Sequence, residues 1–99
     1  MSAYFIIFHP LAEKEYLESI EWYENNLINL GEEFIKEVEQ VIELIELQPN
    51  IFPVKKAKKR EGVVNRFPYV VIYQVFEKQH LIHILSVFNT NRNPKYKRR

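Results

Sequence analysis

Residues 69–88 read YVVIYQVFEKQHLIHILSVF, and the reading of this stretch decides the architecture. Residues 69–76 and 81–88 are dense in Val, Ile, Tyr and Phe, and the polar residues 77–80 between them have the length of a hairpin loop. Two such runs with so short a link predict an antiparallel pair. Upstream, residues 62–67 form a third β-like run, closed by Pro68, which breaks the ladder. Residues 3–8 form a fourth, ended by His9-Pro10; their near-continuous apolar character predicts burial on both faces.

Between the first and second of these runs in chain order the period changes to that of helices. Leu11/Ala12, Tyr16, Ile20, Tyr23 and Leu27 recur at three- and four-residue steps, with Glu13, Glu18, Glu21 and Glu24 turned outward. Pro10 suits the first turn of this helix. Asn25-Asn26 and residues 29–31 supply stop and turn signals. Phe34, Val38, Val41/Ile42 and Ile45 mark a second helix, which Pro49 ends. So short a turn predicts an antiparallel helical hairpin. The expected fold is α+β, in the order β-α-α-β-β-β, with the hairpin packed on a small, mostly antiparallel twisted sheet. The first strand is expected at an edge or beside the last strand.

Charge divides the chain in two. Residues 1–50 hold eleven Glu against Lys14 and Lys36, whereas residues 51–99 hold twelve Lys and Arg against Glu61 and Glu77. A cationic face of this kind attracts polyanions, although solvated charged faces on both halves would give the same count. The absence of cysteine excludes disulfides and thiolate zinc sites and fits a reducing cytoplasm. The start lacks a basic n-region and a cleavage site, and the apolar runs fall short of a membrane span. These features predict one cytoplasmic domain over residues 1–99, with a basic tail from about residue 89. His9, His80 and His83 share neither a helical face nor ligand spacing, so neither metal nor cofactor is expected.

Several fragments together carry a resemblance. They are Trp22-Tyr23-Glu24, Leu30-Gly31-Glu32-Glu33-Phe34, Pro49-Asn50-Ile51-Phe52-Pro53, the block RFPYVVIYQV at 66–75, and VFNTNRNP at 87–94. In this order the chain resembles toxins of the RelE/ParE superfamily from type II toxin–antitoxin modules. The resemblance implies a growth-arresting protein neutralised by a cognate antitoxin, touching operator DNA only through that complex. It implies one of two targets: mRNA in the ribosomal A site for RelE-like members, or DNA gyrase for ParE-like members.

The residues divide between the two branches. Metal-free RNA cleavage needs a base for the 2′-hydroxyl, an acid for the leaving oxygen and cations on the phosphate. The resemblance places Arg92, Tyr96 and a lysine of residues 55–60, taken as Lys58, in those roles. RelE-like enzymes carry an Arg where this chain has Val70, so one cation of the site is missing. Many relatives have His where Asn89 stands, and Asn cannot titrate near neutrality; a structural role at the strand end is the favoured reading. A member with an altered site would survive only as an antitoxin-binding, autoregulatory partner. The leading expectation is a ParE-like toxin acting by binding, through Lys55, Lys56, Lys59, Arg60, Arg66, Tyr73, Asn89 and Arg92. Arg66 is expected to pair with a carboxylate or the antitoxin, and Tyr69 and Tyr73 to be core residues with solvent-facing hydroxyls. Trp22 suits a partner anchor and a semi-buried core position equally.

Overall fold

The computed structural model describes residues 4–92. Its elements are β1 (Phe5–Phe8), α1 (Pro10–Asn26), α2 (Leu30–Leu47), β2 (Arg60–Val63), β3 (Tyr69–Phe76) and β4 (Leu81–Asn89). They form one sheet in the order β1-β4-β3-β2, with β2–β3 and β3–β4 antiparallel and β1 parallel to β4. The helical hairpin covers one face. This is the expected α+β order, and β1 is both an edge strand and the neighbour of β4.

Local chemistry sets the helix ends. His9 caps α1 by accepting the Leu11 N–H on Nδ1 at 3.1 Å, and Pro10 occupies the first turn, where a missing N–H costs nothing. At the far end the chain extends at Leu27, and Asn29 takes a left-handed φ of 69°. The Glu24 carboxylate then accepts the N–H groups of Asn29 and Gly31, both at 3.0 Å, serving donors that α2 cannot satisfy itself. Gly31 is needed for a different reason than turning. Its φ is not positive, but a Cβ there would stand 2.9 Å from the Ile20 carbonyl oxygen. Asn29 makes the turn, and Gly31 lets the two helices touch.

From α2, Phe34, Val38, Val41 and Ile45 are at most 7 % exposed against Val71, Tyr73, Ile82, Ile84 and Val87 of the sheet. Each such side chain contributes roughly 1.5–3 kcal/mol by leaving water. Phe34 is the hub, its ring centroid 4.8 Å from Tyr69, 5.0 Å from Tyr23 and 5.2 Å from Phe67.

Two expectations are corrected. The first strand is not buried on both faces: Ile6 and Phe8 pack on the core, while Phe5 and Ile7 are 73 % and 51 % exposed. The helices cover only one side of the sheet, so alternate residues of an edge strand meet solvent. The run at 62–67 pairs only as Arg60–Val63, because the chain leaves the ladder where Arg66 adopts a φ of 70° before Pro68. Val70, Ile72, Leu85 and Phe88 alternate with the helix-facing residues and form a second buried cluster on the opposite face.

Candidate functional site: a groove at the end of β4

The site begins with an irregularity in β4. Ile72 pairs with Ser86, but Tyr73 pairs with Ile84, so Leu85 is an extra residue and the strand carries a β-bulge. The bulge re-aims the residues after it. Leu85 and Phe88 join the outer cluster, Val87 joins the helix-side core, and Ser86 reaches α1. The Glu15 carboxylate accepts the Ser86 hydroxyl at 2.8 Å and the Val87 N–H at 3.2 Å.

Beyond the bulge, Asn89 organises the strand end. Its Oδ1 accepts the Asn91 N–H at 2.8 Å, its carbonyl accepts the Arg92 N–H at 3.0 Å, and its Nδ2 lies 3.5 Å from the Tyr69 hydroxyl. Tyr69 in turn donates to Ser19 Oγ on α1 at 3.1 Å. These contacts set Arg92 at the rim of an open cavity of about 270 Å³, opposite Glu18 and Trp22. Trp22 is 60 % exposed and packs edge-on against Tyr23. A groove with an exposed Trp, an Arg and carboxylates has the residue types that dominate protein contacts.

The other candidates lie elsewhere. Lys55, Lys56 and Lys58 are exposed on a small hairpin in which Val54 bridges Arg60. Lys59 N–H donates to Lys56 at 3.0 Å, and both central residues, Ala57 and Lys58, have positive φ, as a type I′ turn requires. Arg60 turns inward and donates to the carbonyls of Phe52 and Asn50. Arg60 pairs with Tyr73, whereas Asn89 pairs with Tyr69, two strands over. About 13 Å along the sheet and two strand spacings therefore separate the lysine turn from the Asn89 corner. Lys58 and Arg92 do not converge, and Tyr96 lies outside the described residues.

Arg66 pairs with Glu33 at 2.7 Å and Glu37 at 3.5 Å on α2, and its guanidinium lies 5.7 Å from the Phe67 centroid. The bond to Glu33, above all, raises its pKa. Tyr73 is a correction: it is 0 % exposed, and its hydroxyl donates to the Pro49 carbonyl at 2.8 Å rather than facing a partner. Burial pushes its pKa up, so it stays protonated as a core donor. Val70 stands opposite Phe88, both buried, in the outer cluster. Sequence reasoning missed Glu15. Its signal is the spacing: three residues after buried Ala12 and four before Ser19, on the flank of the apolar stripe. Among the described residues no acidic, His or Cys group of three could hold a metal, and no helix is long and apolar enough to cross a membrane.

Comparisons with known proteins follow from this geometry. Residues 6–94 match the family described as the ParE toxin of the type II toxin–antitoxin system, parDE. Among solved structures, the chromosomal ParDE TA system from P. aeruginosa superposes with a TM-score of 0.71 at 15 % identity, over 87 % of this chain and 95 % of that one. The intact E. coli RelBE toxin–antitoxin complex gives 0.61 at 22 % identity, over 91 % and 100 %. The isolated E. coli RelE toxin gives 0.57 at 22 % identity, over 96 % and 93 %. At these identities the structures show a shared fold. No curated protein matches in sequence.

Proposed function

The chain belongs to the ParE toxin family of type II toxin–antitoxin systems, and from that premise we propose that it arrests growth by binding DNA gyrase rather than by cutting RNA. The single observation that carries this reading is the Val70–Phe88 pair. Where the RelE-like resemblance calls for a cation to hold the phosphate, this chain buries two apolar side chains against each other. An apolar cluster does nothing for charge building on a phosphoryl oxygen. The separation of Lys58 from Arg92 supports the same reading, because a general acid or base works only within hydrogen-bond reach of the reacting atoms.

In this reading the whole of residues 1–99 is one domain, and a cognate antitoxin neutralises it in the cytoplasm. The target surface is the groove at the end of β4, with Trp22 as anchor, Arg92 as charged contact and Asn89 holding the turn. Lys55, Lys56, Lys58 and Lys59 form a second, basic contact that favours a nucleoprotein target. Arg60 and Arg66 shape their loops through the carbonyls and carboxylates they already hold.

The test is purified toxin in two assays side by side, each with Arg92→Ala. Inhibition of gyrase supercoiling by the parent and not by the variant, with no mRNA cuts on translating ribosomes, is the expected result. Codon-phased cuts that vanish in Arg92→Ala would overturn it and establish the endonuclease. Growth that continues on induction would leave an antitoxin-binding autoregulatory protein.

A further inference from the structure

A second cavity, of about 350 Å³, lies between α2 and β2, on the opposite flank from the β4 groove. Val41, Leu44 and Leu47 form one wall, Phe52 closes one end, and Val63 forms the rim. Leu47 and Val63 are 58 % and 66 % exposed, and Val54 beside them is 51 % exposed. The floor is shaped by Gly62, where a Cβ would meet Val41 Cγ1 at 2.9 Å and Phe52 Cε2 at 3.0 Å.

The trough also has a backbone edge. β2 is a terminal strand, bridged on its outer side at Arg60 by Val54. Val64 N–H donates to the Tyr69 carbonyl, so the two-residue alternation turns Val64 and Gly62 toward β3 and the amide and carbonyl of Val63 outward. An exposed, apolar strand edge of this kind is a template for pairing.

Charge marks the ends. Val54 runs directly into exposed Lys55 and Lys56, with Lys58 at the tip of the turn. At the other end Arg66 is already held by Glu33 and Glu37. The lysine end is therefore the one that recruits opposite charge.

We propose that this trough receives an extended segment of a partner protein, added as a strand on the Val63 edge, with apolar side chains against Leu44, Leu47 and Phe52 and acidic residues at the end that meets Lys55, Lys56 and Lys58. The inference rests on reading the chain as a toxin held by an antitoxin, the partner that carries such a segment. It leaves the β4 groove, on the far flank, open to a target.

The test is an NMR titration of the full-length protein with a synthetic peptide of about six residues, alternating Val and Thr and ending in Asp-Glu. The same peptide ending in Lys-Lys is the control. Amide shifts at Gly62, Val63 and Asn65 and methyl shifts at Leu44 and Leu47 are expected with the acidic peptide, and binding about tenfold weaker with the basic one. Val63→Lys loses the shifts, and Lys55→Glu combined with Lys56→Glu reverses the preference. Absence of shifts, equal affinity for both peptides, or binding indifferent to Val63→Lys overturns the proposal. Shifts of the same groups with protein concentration alone would assign the trough to a second copy and also overturn it. Growth arrest is scored separately: failure of the parent protein to arrest growth would sink the toxin reading without altering the peptide result.

Discussion

Glu15 of α1 and Ser86 of β4 lie 71 residues apart in sequence, yet their side chains meet at 2.8 Å, and the same carboxylate oxygen takes the Val87 amide. One acidic side chain thus satisfies the backbone that a β-bulge has pulled out of register. Glu15→Ala leaves a buried hydroxyl and an amide without that acceptor and should cost about 1–3 kcal/mol. Glu15→Gln, which keeps an acceptor, should cost less. Urea unfolding of the three proteins checks the order; equal midpoints would show that water serves the bulge as well.

Gly31→Ala should destabilise by about 1–3 kcal/mol, because the added methyl meets the Ile20 carbonyl at 2.9 Å and the helices must move apart. A helix interior position without this contact would gain from the same change. Thermal unfolding gives the sign, and a raised Tm would mean that the hairpin absorbs the methyl.

Ala57 and Lys58 sit at φ of 55° and 62°, values that glycine adopts at no steric cost. Ala57→Gly and Lys58→Gly should each stabilise the protein by up to about 1 kcal/mol. Arg66 poses the same problem at 70° but also holds two carboxylates. Arg66→Gly should therefore be more stable than Arg66→Ala by about 1 kcal/mol, since both lose the pairs and only glycine relieves the backbone. Denaturant midpoints in this order are the check.

Tyr16 and Tyr23 are each pushed up to about 12, first by burial and then by Glu39 and Tyr69 respectively. A phenol whose folded pKa lies above its unfolded value of 10 holds its proton longer in the native state. Its stabilising contribution is complete below pH 10 and is lost as pH rises from there through about 12. Stability measured across this window should fall, and Tyr16→Phe or Tyr23→Phe should flatten the fall. An unchanged slope in both variants would place the alkaline transition on other groups.

Trp22→Ala should leave the unfolding midpoint within about 0.5 kcal/mol of the parent, as a substitution at an exposed position does. It should weaken target binding by about 2 kcal/mol, as loss of an aromatic anchor does. Affinity for purified gyrase, measured by surface plasmon resonance, separates the two effects.

Much of this protein is legible in the residues themselves, because helices and strands are set by near neighbours. The three- and four-residue steps of Phe34, Val38, Val41 and Ile45 identify the buried face of α2, and residues 77–80 identify the hairpin between β3 and β4. The family fragments from Trp22 to Pro94 also lie in the linear order. The candidate site is less legible: Arg92, Asn89 and Trp22 are nameable from the sequence, but their meeting at one groove is not.

What only the tertiary structure decided are contacts whose partners lie far along the chain. Tyr73 reads as a surface hydroxyl in an alternating strand, yet α2 and its following loop bury it against Pro49. Gly31 reads as a turn residue until Ile20 is brought beside it. Val70 is one more β-branched residue until the register sets it opposite Phe88 and fills a phosphate site with carbon. Local periodicity determines which elements form. Which side chains face one another depends on strand register and helix crossing, and a single extra residue at Leu85 changes both for the end of β4 that builds the groove.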